Sequence, residues 1–242
     1  MRIIHTADYE DMSRKAASVI AAQVVLKPDC VLGLATGSTP IGAYQELVRR
    51  HESGELDFSQ VSTYNLDEYR GLTHDDPQSY HYFMERELFS HINIDPARTH
   101  VPDGANEDAE AACAEYDELV AGAGYPDLQL LGIGNNGHIG FNEPADAFSK
   151  GTHCIDLTES TIEANSRLFE SPEDVPRQAY TMGIQTIMRA RRVVVVASGE
   201  KKAQAVRDMC QGPISPACPA SILQLHPDVI VIADKDALSL CN

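Results

Sequence analysis

The feature that most constrains the fold is a series of short apolar runs alternating with amphipathic stretches. Residues 192–197 read Arg-Val-Val-Val-Val-Ala, and residues 228–233 read Asp-Val-Ile-Val-Ile-Ala. A β-branched run without polar alternation is typical of a strand buried on both faces. Because helix-like stretches separate such runs, the sequence predicts an α/β fold: a doubly wound, mostly parallel sheet with helices on both faces, in a Rossmann-like arrangement.

The predicted elements are distributed along all 242 residues, without an internal repeat or a low-complexity linker. We therefore predict a single domain over residues 1–242. The predicted strands are 2–5, 30–35, 61–65, 127–133, 192–197 and 228–233. The predicted helices are 9–26, 39–52, 78–91, 107–121 and 200–211. The polar stretch 158–178 is predicted to be mobile.

The formal net charge of −17 argues against nucleic acid and anionic membranes as partners, since both would be repelled. The first residues lack the apolar core of a signal peptide, and no apolar run is long enough to span a membrane. The six cysteines include no Cys-x-x-Cys pair, so we expect reduced thiols in a cytoplasm and no metal site. A phosphorylated substrate would need a local cluster of donors to overcome the overall charge.

The polar stretch from Gly132 to Pro144 follows an apolar run at 128–131. It contains four glycines, three asparagines, a histidine and a glutamate, and it suits neither a helix nor a strand. Open α/β sheets present their sites in such segments, at the carboxyl ends of the strands. His138 and Glu143 are therefore the first candidates for chemistry.

Thr36, Gly37, Ser38 and Thr39 form a turn between a predicted strand and a helix that Pro40 opens. Proline costs no hydrogen bond at the first helical position, and Thr39 is the predicted N-cap. Backbone N–H groups, hydroxyls and the positive end of the helix dipole converge there, which suits an anion. An ordinary capped turn explains the same residues equally well, and the turn is neither a Walker A loop nor a dinucleotide fingerprint.

Asp67 and Glu68 follow the predicted strand at 61–65. Adjacent residues at a strand end point in different directions, so one carboxylate can face a site while the other faces solvent or a cation. Asp67 lies where a general base would be placed. A helix-capping role explains Asp67 equally well.

Isolated basic residues beside turns are notable in so acidic a chain. Arg167 lies in the polar stretch, and Lys201 and Lys202 follow the predicted strand at 192–197. A lysine there can act as a point charge on phosphate, and an arginine can clamp phosphate with two hydrogen bonds. Taken singly, each is more commonly a solvated cation on a helix face.

Together these motifs resemble the glucosamine-6-phosphate deaminase family, also called the glucosamine-6-phosphate isomerase family. The matching segments follow the family order over nearly the whole chain, and the 132–144 segment is the most specific. The segments are 33–40, 64–69, 132–144, 164–167, 198–203 and 221–226.

The resemblance implies that glucosamine 6-phosphate and water give fructose 6-phosphate and ammonia, in the catabolism of N-acetylglucosamine and other amino sugars. It implies a small-molecule substrate, an amino-sugar phosphate, and no metal or organic cofactor. By position, Asp67 resembles the base for enolisation, His138 the ring-opening group, and Glu143 the carboxylate that partners this histidine. The positions that resemble phosphate binders are Thr36, Gly37, Ser38, Thr39, Arg167 and Lys202, with Lys201 a less favoured alternative to Lys202.

These residue types suit the chemistry. A histidine can move a proton between the ring oxygen and O1 near neutral pH, which opens the sugar. A carboxylate such as Asp67 can then remove the proton from C2. The reactive intermediate would need protection from water, so we predict that the 158–178 stretch is an active-site lid.

Two rival functions remain open. A 6-phosphogluconolactonase opens a lactone and needs no base at C2, and its motif resembles Gly-His-Thr rather than Gly-His-Ile-Gly-Phe-Asn-Glu. A non-catalytic sugar-phosphate sensor would have no need of Asp67 and His138 together. Shared fold alone does not choose among these functions.

Regulation is a further point on which the chain departs from some relatives, which are allosteric hexamers activated by N-acetylglucosamine 6-phosphate. Where those relatives carry basic effector-binding residues, this chain reads Lys150-Gly-Thr-His-Cys-Ile-Asp156. We therefore predict a non-allosteric enzyme, with the choice between monomer and homo-oligomer left open.

Asn136 is a departure with mechanistic content, because many relatives have an acidic residue there. An amide cannot stabilise a histidine cation by charge. We therefore expect the pH dependence of catalysis to reflect the His138–Glu143 pair alone, and the Asn136→Asp variant to shift the pH profile of kcat/KM. An unchanged profile would contradict this interpretation.

Overall fold

The computed structural model describes residues 1–159, 162–163, 169 and 175–241. Its strands are β1 (Arg2–Thr6), β2 (Val31–Leu34), β3 (Ser62–Asn65), β4 (Asp67–Tyr69), β5 (Thr99–His100), β6 (Leu128–Leu131), β7 (His153–Asp156), β8 (Gln178–Thr181), β9 (Val193–Ala197) and β10 (Val229–Asp234). Its helices are α1 (Tyr9–Leu26), α2 (Ile41–Glu52), α3 (Tyr80–Glu87), α4 (Ala109–Gly122), α5 (Ile184–Ile187) and α6 (Ala203–Gln211).

Seven strands form a central sheet in the order β1-β10-β9-β6-β2-β3-β5, and every pair is parallel. The chain extends the sheet from β2 towards β3 and β5, and later from β6 towards β9. The direction of extension therefore reverses between β2 and β6, where an open α/β sheet leaves a crevice at its carboxyl edge. The predicted fold class is confirmed.

The two faces of the sheet carry separate hydrophobic clusters. In β9, Val194 and Val196 pack on the face covered by α1 and α2, whereas Val193 and Val195 pack on the face covered by α4, α5 and α6. All four valines are at most 1% exposed, and each such burial stabilises the fold by roughly 1.5–3 kcal/mol. None of the helices among the described residues is long and apolar enough to cross a membrane.

The start of α2 differs from the prediction, because Thr39 is not its N-cap. Pro40 occupies that position and has no side-chain capping bond. The hydroxyl of Tyr9, from α1, instead accepts a hydrogen bond from the N–H of Gly42 at 2.9 Å and donates one to the carbonyl of Ser38 at 3.1 Å. A partner from another helix thus satisfies the first turn, and the Thr39 side chain is not needed for capping.

A second, antiparallel sheet in the order β4-β8-β7 was not predicted. Its β4 begins at Asp67, which pairs with Thr181 of β8. These strands have three or four residues each and lack long β-branched runs, so the sequence signal for them is weak. The 158–178 stretch overlaps β8 at Gln178, and much of the rest of this predicted lid lies outside the described residues.

Glu68 faces neither solvent nor a cation, contrary to the expectation for one of the two adjacent carboxylates. It is 1% exposed and accepts three backbone hydrogen bonds at 2.8–2.9 Å, from Tyr69, Tyr80 and His81. Two of these donors are in the first turn of α3, whose N–H groups have no partners within the helix. The capping role considered for Asp67 is therefore performed by its neighbour.

The cap at α3 gives a stability prediction. Glu68→Ala would leave one buried and two part-buried N–H groups without their acceptor, which costs about 3 kcal/mol. For a chain of this length we expect Tm to fall by roughly 6–12 °C in thermal unfolding. Ser79→Ala removes the capping bond from the Tyr82 N–H and the bond that the Ser79 hydroxyl donates to the His74 carbonyl, and it is the matched control with a loss of about 1 kcal/mol. Equal losses for the two variants would contradict the assignment.

Candidate active site

A cavity of about 460 Å³ lies at the carboxyl edge of the central sheet. Its walls come from the segments that follow four adjacent strands, β9, β6, β2 and β3. Parallel pairing brings these strand ends to one edge, so residues far apart in sequence share one space. The lining residues that the sequence singled out are Thr36, Gly37, Ser38, Thr39, Asp67, Asn136, His138 and Lys202.

One wall of the cavity suits an anion. The turn at 36–39 contributes backbone and hydroxyl groups, with Gly37 at a φ of +92° that favours glycine. Lys202 is half-buried in the same cavity, and burial lowers the pKa of its amine. Lys201 is exposed and does not line the cavity. Arg167 lies outside the described residues.

Asp67 lines the cavity although only 6% of its surface is exposed. Its backbone is fixed by pairing with Thr181, and the adjacent Leu66 carbonyl accepts from the N–H of Met182 at 2.7 Å. No hydrogen bond from the described residues reaches its carboxylate. Burial, together with the nearby Glu68 carboxylate, raises the pKa of Asp67 to about 8. A buried carboxylate that accepts no hydrogen bond from the described residues and lines a cavity has the properties of a general base.

The loop after β6 is a tight turn that presents His138. The N–H of Gly134 donates to the carbonyl of His138 at 2.9 Å, and Gly137 has a φ of +86°. The imidazole lies directly against Gly134, where an added Cβ would be 2.3 Å from the ring. Glycine at position 134 is therefore required for this placement of the histidine.

Glu143 stands behind His138 and does not line the cavity. Its Oε2 atom is 3.3 Å from His138 Nδ1, within ion-pair distance but outside hydrogen-bond geometry. The same oxygen accepts a 2.7 Å hydrogen bond from Asn136 Nδ2. Asn136 also accepts from the His138 backbone N–H at 3.2 Å. The asparagine thus binds the carboxylate and the loop backbone, and not the imidazole ring.

Tyr80 and Phe141 are cavity residues that the sequence analysis missed. Their rings stack at 6.1 Å, and the Tyr80 hydroxyl is 3.3 Å from that of Tyr69 and interacts with Thr36. Tyr80 therefore connects the turn at 36–39 with Phe141 on the other side of the cavity. Phe141 lies within the 132–144 segment, which the sequence already indicated as part of a site. Tyr80 lies at the start of a helix, where no sequence motif indicated a site residue.

The remaining lining residues add little charge. They are Ala35, Leu66, Gly132, Ile133, Gly134, Asn135 and Gly140. Among the described residues there is no group of three or more His, Cys, Asp or Glu side chains that could hold a metal ion. The charged and titratable side chains of the lining are those of Asp67, His138, Lys202 and Tyr80, which suits acid–base chemistry on an anionic ligand.

Comparison with known proteins decides the family. The family described as glucosamine-6-phosphate isomerases/6-phosphogluconolactonase matches residues 6–231. The chain belongs to this family. A curated glucosamine-6-phosphate deaminase from Halothermothrix orenii is 56% identical, over 99% of this chain and 100% of that protein. The resemblance drawn from the motifs is confirmed.

Solved structures show the same relationship at two levels. A monomeric glucosamine-6-phosphate deaminase is 49% identical with a TM-score of 0.97, and the match covers 99% of this chain and 100% of that one. A 6-phosphogluconolactonase from Trypanosoma cruzi is 20% identical with a TM-score of 0.75, covering 100% of this chain and 97% of that one. The second likeness concerns the fold alone.

The environment of Asp67 predicts a stability gain on its removal. A folded-state pKa near 8, against an ordinary value of 3.8, means that the folded protein must either keep a proton or bury an unpaired charge as the pH rises. We expect Asp67→Asn to raise Tm by roughly 5 °C near pH 8. The gain should be small near pH 4, grow as the pH rises, and level off above pH 8.

Asp127→Asn is the control for this prediction. Asp127 is buried to the same degree, but it accepts hydrogen bonds from Val31 N at 2.9 Å and Lys27 Nζ at 2.7 Å. Its neutralisation should lower Tm. A Tm for Asp67→Asn that does not exceed the wild-type value at pH 8 would show that Asp67 has a stabilising partner.

Proposed function

We propose that this protein is a glucosamine-6-phosphate deaminase, which converts glucosamine 6-phosphate and water into fructose 6-phosphate and ammonia. The observation that carries the proposal is the arrangement of Asp67 and His138 in one cavity with a cationic and hydroxyl-rich wall. A base and a proton-transfer group around an anion site suit an isomerisation of a sugar phosphate. The 56% identity to a curated deaminase over the full chain supports the same activity.

The phosphate group binds at the wall formed by the 36–39 turn and Lys202. The turn supplies N–H groups and hydroxyls, and the lysine supplies the positive charge that the acidic protein otherwise lacks. Removal of the Lys202 amine from water strengthens its attraction for an anion. We include Arg167 among the phosphate ligands on the strength of its motif.

Ring opening is the role of His138, supported by Glu143 and Asn136. The imidazole faces the cavity, and the Glu143 carboxylate lies behind it, with Oε2 3.3 Å from Nδ1. The histidine takes the proton of the O1 hydroxyl and delivers it to the ring oxygen as the bond between C1 and the ring oxygen breaks, which gives the open aldehyde. Asn136 holds the glutamate oxygen at 2.7 Å and so fixes the position of the charge.

Deamination then begins at C2. The ionised Asp67 carboxylate removes the C2 proton, a C1=C2 double bond forms, and the aldehyde oxygen takes up a proton from water to give an enolamine. Asp67 then returns its proton to C1 while the nitrogen lone pair forms the C2=N bond and the nitrogen loses a proton to water, which yields the ketimine of fructose 6-phosphate. Water adds to the C2=N bond, and ammonia leaves as the C2 carbonyl forms. The reaction consumes one water and needs no oxidant or cofactor.

The proposal extends to the setting of the enzyme. We propose the 158–178 stretch as a lid that excludes water during the enolamine step. We also propose a monomer without allosteric activation, since a structure 49% identical to this chain is that of a monomeric deaminase. A cytoplasmic location agrees with six cysteines that are all unpaired thiols in the structure.

The test is a coupled assay for fructose 6-phosphate, with glucosamine 6-phosphate supplied and ammonia measured in parallel. We expect both products in equal amounts. Asp67→Asn should lower kcat/KM by roughly 10²–10⁴-fold, the contribution of a general base. Asp127→Asn, which changes a buried carboxylate at the opposite edge of the sheet, should leave kcat/KM within a few-fold.

Three results would contradict the proposal. The first is hydrolysis of 6-phosphogluconolactone without ammonia release from glucosamine 6-phosphate, which would favour the lactonase. The second is ligand binding without turnover, which would favour a sensor. The third is full deaminase activity in Asp67→Asn, which would exclude this residue as the base.

A further inference from the structure

The segment that carries Lys202 has little internal stability. It leaves β9 at Ser198, passes through Gly199 at a φ of +89°, and forms a single 3-10 turn from Glu200 to Lys202. That turn has no side-chain capping bond of its own. One short turn fixes few contacts, so its orientation must come from outside the segment.

Asp234 supplies that support from the end of the neighbouring strand. Ala233 of β10 pairs with Ala197 of β9, so the next residues along the two strands, Asp234 and Ser198, lie side by side at the carboxyl edge. The Ser198 hydroxyl donates to Asp234 Oδ2 at 2.5 Å, and the Gly199 N–H donates to both carboxylate oxygens at 3.1 Å. Ala237, in the turn that follows β10, donates its N–H at 2.8 Å.

The Asp234 carboxylate is only 5% exposed and is held as an acceptor. Burial by itself would raise its pKa, but the hydrogen bonds from Ser198, Ala237 and Gly199 outweigh burial and lower it. An ionised acceptor makes shorter and stronger hydrogen bonds than a neutral one. The pKa of Lys202 is lowered by burial, and no pairing with Asp234 contributes to it.

We propose that Asp234 is a positioning residue for phosphate binding: its carboxylate fixes the Ser198–Gly199 backbone and thereby directs the Lys202 amine into the cavity. It touches neither the substrate nor the amine. This inference rests on the proposed function, in which Lys202 binds the substrate phosphate.

The experiment compares Asp234→Ala with Asp127→Ala. Both remove a carboxylate from a residue that is 5% exposed, and each carboxylate accepts a hydrogen bond from at least one backbone N–H. Asp127 lies at the amino end of β6, at the edge of the sheet away from the cavity. For Asp234→Ala we expect the KM for glucosamine 6-phosphate and the Ki of inorganic phosphate as a competitive inhibitor to rise about tenfold. The kcat should stay within about threefold, because phosphate binding is shared by the ground state and the transition state.

Asp127→Ala should lower Tm without changing the Ki of phosphate. Asp234→Asn keeps part of the hydrogen bonding and should give an intermediate Ki. Ser198→Ala removes one of the bonds and carries the same test if Asp234→Ala does not fold. In a Lys202→Met background, Asp234→Ala should produce no further change in Ki, since the two residues act through one contact.

An unchanged Ki in Asp234→Ala and Ser198→Ala would overturn the inference. So would a rise in Ki that is as large in the Lys202→Met background as in the wild type, since the carboxylate would then act by another route. A Ki that Lys202→Met leaves unchanged would remove its premise. In each of these cases ammonia release by the wild type would still support the deaminase, and only its absence would count against the proposed function.

Discussion

The parallel pairing of β9, β6, β2 and β3 is the constraint on which the rest of the structure depends. Parallel strands end at the same edge, so the four segments that follow them must meet there. The backbone groups at these ends are no longer paired within the sheet, and they are available for turns and ligands. The hydrophobic clusters on both faces of the sheet hold this edge in place. The fold can therefore tolerate a buried polar group, such as the Asp67 carboxylate, that accepts no hydrogen bond from the described residues.

Two adjacent buried carboxylates, Glu68 and Asp67, differ in their hydrogen bonding. Glu68 is buried with three hydrogen bonds from backbone N–H groups, and it stabilises the start of α3. Asp67, one residue earlier, is buried without a hydrogen bond from the described residues; burial raises the pKa of both carboxyls, to about 8 in Asp67 and to about 7 in Glu68. The alternation of side chains along β4 separates a carboxylate that caps a helix from one that lines the cavity. The burial and raised pKa of Asp67 suit the general base that we propose.

The loop after β6, which carries His138, is also held by contacts that position one side chain at the cavity. Glycine at 134 and a positive φ at Gly137 let the backbone turn tightly enough for His138 to lie against it. Asn136 then ties Glu143 and the loop backbone together, so the carboxylate reaches the imidazole from behind.

The sequence by itself determined the parallel sheet, because the β-branched runs of β9 and β10 have only one environment in which they are stable. It also determined most of the site, since Asp67, His138 and Lys202 follow strands whose ends must converge. Only the tertiary structure decided that Asp67, and not Glu68, lines the cavity. It also decided that the Tyr9 hydroxyl, and not Thr39, accepts a hydrogen bond from the first turn of α2. The second sheet of β4, β8 and β7 likewise appeared only in the structure. Those outcomes depend on contacts between residues distant in sequence, such as Asp67 with Thr181. Local propensity and hydrophobic periodicity do not predict contacts between residues that are distant in sequence.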